Sequence, residues 1–428
     1  MTDKGEVAVP ALDQRFELVT IRLPVMLTFA ALIIGLGLGV AFAGGGLPEW
    51  LRETVALVGS LWLRALQMTI IPLVASLLVL GIAQMIGAAR AGAAAAKFLT
   101  LVFGVLIAGG IFTALVMPLV LQAIPIPEAA AGFLAEVPEG EQQVPGALDF
   151  LASLVAPNVI AAAAETAMLP LTIFFALFAV AITRLPEGQS DTLLGFFHAI
   201  ANAMLLIIGW VLWLAPLGVL ALAFGVGLRS GGGAFAALAH YILIVSAMGG
   251  FILVLAYLLA WLLGGINPLR FASAVVPAQA VAISTQSSLA SLPAMLDSAT
   301  RLKLRDSTSE FVLPLAVAIF RSTSVAMNLA VALYVATLAG VEVSLPLVVV
   351  GIAVAVIISI GSVSLPGSIS FVVSIGPIAL AMGVPIEPLA LLVAVEMLPD
   401  IMRTLANVTM NVAVTSAVDR GAGGTDGE

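Results

Sequence analysis

Long apolar runs, separated by short polar or glycine-rich breaks, make up most of this chain. The runs lack the two-residue alternation of a barrel strand, and in the first two thirds of the chain each exceeds the roughly 20 apolar residues that a membrane-spanning helix needs. Pro72 lies inside the second run and is expected to kink its helix. We therefore predict transmembrane helices over 18–43, 54–87, 98–123, 146–184, 191–228 and 234–264.

The last third of the chain has a different pattern, because serine-rich segments interrupt its apolar runs. One interruption extends from Ser284 to Pro293 and the other from Ser359 to Ser368, and the apolar arms beside them are too short to cross a bilayer alone. Neither carries a charged residue, whereas loops at a membrane surface usually do. This pairing favours two re-entrant hairpins beside a substrate site, each followed by a full helix, over 309–339 and 386–418. Two ordinary surface loops are the alternative.

The composition excludes a soluble enzyme. Of 428 residues, 62% are hydrophobic and 9% are charged, whereas a soluble domain has about 25% charged residues. The net charge of −8 argues against a nucleic-acid partner, and the absence of cysteine excludes disulfides and thiolate metal sites. Two histidines, His198 and His240, do not suffice for a metal cluster or a catalytic triad. We expect a polytopic membrane protein that lies in the lipid bilayer, with no metal centre and no cofactor.

The distribution of lysine and arginine predicts the orientation in the membrane. The stretch 126–149 is acidic and contains neither residue. The cations between the predicted helices fall on the opposite side: Arg90, Lys97, Arg184, Arg270, Arg301, Lys303, Arg305 and Arg420. Because cytoplasmic loops carry the excess of lysine and arginine, we expect both termini in the cytoplasm and the chain in the inner (cytoplasmic) cell membrane.

The last predicted helix carries polar residues in the order Asp400-Ile-Met-Arg403-Thr404-Leu-Ala-Asn407-Val-Thr409-Met-Asn411. This segment resembles the substrate helix of the glutamate transporter family, the dicarboxylate/amino acid:cation symporters. The likeness extends over about 18–418 and includes Leu63–Val74, Ala156-Pro157-Asn158 and Ala167–Pro170. The resemblance implies eight transmembrane helices plus two re-entrant hairpins, assembled as a homotrimer. It also implies a transport domain that moves against a rigid scaffold as an elevator.

The same resemblance divides the chain into scaffold and transport parts. The expected order is a cytoplasmic tail (1–16), scaffold helices 1 and 2 (17–90), helix 3 of the transport domain (91–125), an extracellular loop (126–145), scaffold helices 4 and 5 (146–229), the rest of the transport domain (234–418) and a polar tail (419–428).

Positions 396, 400, 403, 404, 407 and 411 recur at three- and four-residue steps and so share one helix face. Asp400 and Arg403 are charged there, and a charge inside a membrane is by default a functional candidate. A purely structural salt bridge between them is the alternative. The resemblance implies that Arg403 binds the side-chain carboxylate of the substrate, with two parallel hydrogen bonds, and that Asp400 binds its ammonium group. Dicarboxylate-carrying relatives lack this Asp and neutral amino acid relatives lack this Arg, so the pair implies aspartate or glutamate.

Other substrate contacts follow from the same resemblance. Thr404 and Asn407 match residues that bind the ammonium and α-carboxylate regions, and Ser288, with Ser287 beside it, matches the residue that meets the α-carboxylate. Ser324 of the seventh helix also matches the substrate site. A lone serine in a membrane helix often bonds only its own backbone, but the position of Ser288 in the first hairpin favours a functional role. The tip of the second hairpin is the expected extracellular gate, formed by Ser362, Ser364, Pro366 and Gly367.

The chain departs from this family at the sodium-binding positions. The family motif Asn-Met-Asp-Gly-Thr is replaced by Phe320-Arg321-Ser322-Thr323-Ser324, and a further sodium-binding Asp by Asn411. The third helix offers Leu101, Val102, Val105 and Leu106 instead of hydroxyl ligands. We therefore predict that two sodium sites are lost. Whether the third site, which is built mostly of backbone carbonyls, is retained stays an open question.

Arg321 stands in the middle of the predicted seventh helix, where a fixed guanidinium would replace a bound sodium ion. Arg403, Asp400 and Arg321 total +1, which complements a substrate of −1. An arginine that snorkels to the interface is the alternative.

Glu396 is a candidate proton carrier, because a buried carboxylate titrates nearer neutrality. The alternative is that Glu396 is a structural hydrogen-bond acceptor.

These residues predict a secondary transporter whose binding of acidic amino acids is independent of sodium. Exchange, passive equilibration and proton drive all stay open. The alternatives are a sodium- or proton-coupled dicarboxylate or amino acid symporter, a channel, whose filter would need a symmetric ring of charges or carbonyls, and an intramembrane enzyme.

Overall fold

The computed structural model describes residues 24–422, apart from 44, 46, 91, 129, 131–154, 232 and 362–366. All the regular elements in these residues are helices, as the hydrophobic pattern predicts. In chain order they are α1 (Val25–Ala41), α2 (Glu49–Gln67), α3 (Ile70–Ala89), α4 (Ala93–Ala123), α5 (Val159–Ala164), α6 (Met168–Ile182), α7 (Glu187–Trp213), α8 (Ala215–Ser230), α9 (Gly233–Leu262), α10 (Pro268–Thr285), α11 (Leu292–Leu302), α12 (Asp306–Ile319), α13 (Ser324–Leu338), α14 (Leu345–Gly361), α15 (Gly367–Ala381), α16 (Glu387–Leu392) and α17 (Met397–Ala422).

The protein is a multi-pass membrane protein. Within the described ranges, five segments are long and apolar enough to cross a bilayer: Glu49–Ala89, Ala93–Ala123, Glu187–Trp213, Gly233–Leu262 and Asp306–Leu338. The remaining apolar helices are too short for a full crossing of the bilayer. The predicted number of eight transmembrane helices therefore stays a prediction.

The second predicted helix is interrupted one turn before Pro72. Its break falls at Met68 and Thr69, between α2 and α3. Pro72 has no N–H for the carbonyl of Met68, four residues earlier, and its ring crowds that carbonyl. The break therefore lies where the proline is expected to disturb the helix.

Two further helices predicted as continuous are divided. The run 191–228 divides at Leu214, because Pro216 takes one of the first two positions of α8. The run 146–184 divides between α5 and α6, where Thr166 has a left-handed backbone with φ 55°. The start of α5 is defined by Asn158, whose side-chain oxygen accepts from the backbone N–H groups of the next turn. Residues 146–154 of this run lie outside the described residues.

The two serine-rich interruptions lie between paired helices, as predicted. Helices α10 and α11 pack against each other, and so do α14 and α15. In the first pair, α10 ends at Gln286, which has a left-handed backbone with φ 50°. In the second pair, the predicted gate residues Ser362, Ser364 and Pro366 lie outside the described residues, and Gly367 is the first residue of α15.

The predictions of one continuous helix over 309–339 and another over 386–418 are wrong. The first is broken between Ile319 and Ser324, and Phe320 is extended with φ −117° and ψ 113°. The second is broken before Met397, with Pro399 in the first turn of α17. Arg321 therefore lies at a break between two helices, not in the middle of one. At the far end, α17 continues to Ala422, so the expected polar tail begins with helical residues.

Helix α17 lies largely in the protein interior. It packs against α9, α10, α12 and α4, and its residues from Ala406 to Val418 are buried. Helix α8 packs against α1 and α2. Helix α3 packs on α6 and α7 as well as on α14 and α15. This grouping places the polar face of α17 in the protein interior; movement of one group past the other stays a prediction.

Candidate substrate and ion site

Three charged side chains at the start of α17 are buried together. Glu396, Asp400 and Arg403 are 1%, 6% and 7% exposed. The Arg403 Nη2 atom donates to Glu396 Oε1 at 2.8 Å, and Arg403 Nε lies 3.5 Å from Asp400 Oδ1. A buried charge is tolerated only when it is paired. The three-residue spacing of Asp400 and Arg403 suggests that these two form the closer ion pair. In the structure, Arg403 instead pairs more closely with Glu396.

Helix α13 completes the coordination of Arg403. Its Nη1 atom donates to Asn328 Oδ1 at 2.9 Å, and Asn328 Nδ2 donates in turn to Ser324 Oγ at 3.2 Å. Each nitrogen of the guanidinium therefore faces an oxygen of this chain. Sequence reasoning missed Asn328; the only signal was an amide inside the apolar run of α13. These contacts use three of the five N–H donors of Arg403, and each Nη atom has one further N–H for a carboxylate.

The break before α13 depends on Asn407. Its Oδ1 atom accepts from Ser322 Oγ at 2.9 Å, from the Thr323 backbone N–H at 3.0 Å and from Thr323 Oγ1 at 3.1 Å. The first N–H groups of a helix have no acceptor within it, and α17 supplies that acceptor here. The Asn407 oxygen is thus committed to the break.

Arg321 lies at this same break. Its guanidinium is within Coulombic range of the Asp400 carboxylate and of the Arg403 guanidinium. The ionisable groups gathered here are thus two arginines and two carboxylates, because Glu396 belongs to the cluster as well. The formal sum with both acids ionised is zero, and the total of +1 predicted from Arg403, Asp400 and Arg321 omits Glu396.

The positions of the expected sodium ligands hold no carboxylate. Phe320 is 2% exposed and packs edge-on against Phe98, with ring centroids 6.2 Å apart. Ser322 is fully buried and its hydroxyl is used by Asn407. Asn411 is fully buried, and neither of its amide atoms has a hydrogen-bond partner among the described residues.

The third-helix positions are equally apolar, with Val102, Val105 and Leu106 buried on α4. These side chains do not fit the two sodium sites that the resemblance describes. The part of the chain that the structure describes also contains no group of three His, Asp or Glu side chains placed to hold a metal ion.

The serines of the first hairpin mainly build its turn. Ser287 Oγ accepts from the Ala290 backbone N–H at 3.2 Å, and its carbonyl accepts from Ser291 Oγ at 2.8 Å. Ser288 is the next residue and is half-buried. In the residues described, neither Ser287 nor Ser288 hydrogen-bonds to the charged cluster. Thr404 is 5% exposed on α17 and shares the face of the cluster.

One polar contact joins this hairpin to α17. Gln279 Nε2 of α10 donates to Thr409 Oγ1 at 3.0 Å and to Tyr257 OH of α9 at 3.2 Å. Sequence reasoning missed this link as well, because a single Gln in an apolar run has many readings. The contact holds the first hairpin against the helix that carries the charged residues.

Comparison with known proteins identifies relatives over nearly the whole chain. The profile of the sodium:dicarboxylate symporter family matches residues 25–421. The proton/sodium-glutamate symport protein of Bacillus subtilis (strain 168) is 26% identical over 92% of both chains. The neutral amino acid transporter B(0) of Homo sapiens is 30% identical over 92% of this chain and 80% of its own. The proton/glutamate-aspartate symporter of Escherichia coli (strain K12) is 26% identical over 85% of this chain and 84% of its own.

The two amides of α17 lead to opposite predictions for stability. Replacement of Asn407 by Leu removes the acceptor of three buried donors and is expected to destabilise the protein by about 1–3 kcal/mol. Replacement of Asn411 by Leu removes an amide without partners, so we expect an unchanged or raised melting temperature. Thermal unfolding of both variants in detergent, beside the wild type, measures the difference. Equal destabilisation by the two substitutions would contradict these assigned roles.

Proposed function

Since the chain belongs to the sodium:dicarboxylate symporter family, we propose that it is a secondary transporter of aspartate or glutamate in the inner (cytoplasmic) membrane. The observation that carries the substrate class is the buried pair of Arg403 and Asp400 on one face of α17. The relatives themselves are named as carriers of glutamate, of glutamate and aspartate, or of neutral amino acids. Their names alone therefore leave acidic and neutral substrates open.

Arg403 favours the acidic class. Its planar guanidinium suits a carboxylate, with which it forms two parallel hydrogen bonds. A neutral amino acid would leave this buried cation without a substrate partner. By the resemblance described above, family members that carry neutral amino acids lack this arginine. Asp400, one turn earlier, suits the substrate ammonium group. The Asn407 Nδ2 group and Ser288 are then the donors proposed for the α-carboxylate, beside Thr404 and Ser324.

We further propose that substrate binding does not require sodium. Phe320, Ser322 and Asn411 supply no carboxylate at the expected ligand positions, and Phe320 fills its place with a ring. Arg321 contributes a positive charge at the same break, within Coulombic range of Asp400. A covalently attached charge cannot be loaded on one side of a membrane and released on the other. Sodium could then not drive accumulation of the substrate.

A sodium- or proton-coupled symporter is the second candidate, and the names of two relatives favour it. A sodium-coupled symporter differs from the first candidate because sodium would change its substrate affinity, since coupled ligands raise each other's affinity by the same factor. A channel is less well supported, because the charges lie on one helix face and not in a ring.

The role of Arg403 is tested by the substitution Arg403→Cys. We expect a loss of L-aspartate affinity of at least about a hundredfold, near 3 kcal/mol, because the carboxylate loses its bidentate partner. Small neutral amino acids are expected to bind instead. Calorimetric titration with L-aspartate and L-serine measures both changes. The control is Arg184→Cys, at an exposed arginine just after α6; unchanged aspartate binding by Arg403→Cys would sink the assignment.

Sodium independence is tested by titrating L-aspartate in sodium and in choline buffers. The two affinities are expected to agree within about tenfold, or 1.4 kcal/mol. The substitution Arg321→Met should weaken binding in both buffers, because it removes the fixed charge and rebuilds no sodium ligand. Arg184→Met is the matched control for loss of one arginine and should leave both affinities unchanged. A sodium-dependent gain of a hundredfold or more would refute the proposal.

The proposed assembly is a homotrimer in which each transport domain moves as an elevator, by resemblance to the family. Native mass spectrometry of the protein in detergent should give trimers as the main species. Cross-links between cysteines introduced into α3 and α15, which contact each other, should form in one state and be lost in another. Monomers as the main species, or cross-links insensitive to substrate and membrane conditions, would count against this assembly and motion.

A further inference from the structure

A tyrosine hydroxyl beside the charged cluster is buried without a partner. Tyr241 of α9 is fully buried, and its hydroxyl has no hydrogen-bond partner among the described residues. The oxygen and the proton of a buried hydroxyl are normally hydrogen-bonded, because an unpaired one costs free energy in an apolar environment. A fold that keeps such a group in its interior therefore points to a partner that arrives from outside the chain.

The packing of α9 against α17 determines the level at which this hydroxyl lies. A side-chain carbon added at Gly249 of α9 would lie 2.9 Å from the side chain of Met402 on α17. Further along both helices, one amide side chain of α10 donates to Tyr257 of α9 and to Thr409 of α17. From the first contact to the second, the chain advances in the same direction by eight residues on α9 and by seven on α17. The two helices are therefore parallel, and Tyr241, eight residues before Gly249, lies at the level of the start of α17.

The Tyr241 hydroxyl is thus a neighbour of the proposed substrate site. It lies within Coulombic range of the Arg403 guanidinium and of the Glu396 carboxylate. Its ring is packed edge-on by Tyr334 of α13, with ring centroids 5.3 Å apart. The hydroxyl of Tyr334 is used elsewhere, since it lies 3.1 Å from Nδ1 of His240. The ring of Tyr241 is held by its neighbours, whereas its hydroxyl is left over.

A carboxylate is the ligand group that suits this hydroxyl. Arg403 has one further N–H on each Nη atom, beside those that bind Asn328 and Glu396. A carboxylate on these two N–H groups keeps lone pairs for a third donor, and a phenolic hydroxyl is such a donor. Glu396 Oε2 is an acceptor in the same cluster, but no hydrogen bond joins it to Tyr241.

We propose that the Tyr241 hydroxyl donates a hydrogen bond to the side-chain carboxylate of the bound acidic amino acid, and that it acts with Arg403 to select acidic over neutral substrates. The inference rests on the proposed function, since it requires an acidic substrate at Arg403. The hydroxyl is already removed from water before the substrate arrives, so little is lost when the new bond forms. A neutral amino acid leaves it unpaired, and a site with buried polar groups rejects a ligand that leaves them unpaired.

Two substitutions that each remove one hydroxyl distinguish a substrate contact from a structural one. Tyr241→Phe should weaken binding of L-aspartate by about tenfold or more, because a hydrogen bond to a charged acceptor is lost. The melting temperature of the substrate-free variant should be unchanged or raised, because the hydroxyl has no partner there. Calorimetric titration and thermal unfolding of the full-length protein in detergent measure the two quantities.

The matched control is Tyr334→Phe, whose ring contacts Tyr241 but whose hydroxyl pairs with His240. It should lower the melting temperature and leave the affinity for L-aspartate unchanged. Unchanged affinity in Tyr241→Phe would overturn this inference and leave the proposed function standing. A lowered melting temperature of substrate-free Tyr241→Phe would also overturn it, since the hydroxyl would then have a partner within the protein. Absence of aspartate binding by the wild type would overturn the proposed function, and this inference with it.

Fluorine NMR gives a test that does not depend on the folding of Tyr241→Phe. The chain has three tyrosines, so incorporation of 3-fluorotyrosine gives three resonances. Tyr257→Phe and Tyr334→Phe identify two of them and leave the third for Tyr241. Saturating L-aspartate should shift the Tyr241 resonance, because its hydroxyl gains a charged acceptor. A Tyr241 resonance that does not move on saturation would overturn the inference.

Discussion

The burial of the Arg403 guanidinium is the constraint on which the rest of the site depends. A cation enclosed by protein in the membrane must be compensated, and Arg403 is compensated by Glu396, Asp400 and Asn328. These partners come from α13 and from the start of α17, so the arginine links the two helices. Each of its three nitrogens makes one of these contacts, and the second N–H of each Nη atom is left for an anion. An anion that binds there shares the guanidinium with these internal partners.

The helix breaks depend on the same helix. The chain can interrupt its backbone hydrogen bonding between α12 and α13 because Asn407 accepts three hydrogen bonds at that point. Without a partner from α17, the buried N–H group of Thr323 would be left unsatisfied, and irregular backbone at membrane depth would not be tolerated. One face of α17 thus holds the break open and presents the charged residues. The break, in turn, brings Arg321 to Asp400.

A transporter that couples to sodium needs a charge that enters and leaves the site, whereas Arg321 is a charge that stays. The replacement of the sodium-binding motif therefore exchanges a charge that can leave the site for one that cannot. The fixed cation compensates Asp400 permanently, and the adjoining Phe320 packs against Phe98. Glu396, the other carboxylate of the cluster, pairs with Arg403.

The sequence by itself determined the all-helical membrane class, the two interrupted helix pairs and the polar face of α17, because these follow from local hydrophobicity and helical period. It did not determine the breaks before Ser324 and Met397. The first of these contains no glycine or proline, and its stability comes from Asn407, 84 residues away along the chain from Thr323. Nor could it reveal that Arg403 pairs more closely with Glu396 than with Asp400, or that Asn328 completes its coordination. Those partners were decided by the tertiary structure, because a buried charge selects its neighbours by position in space and not by spacing along the helix.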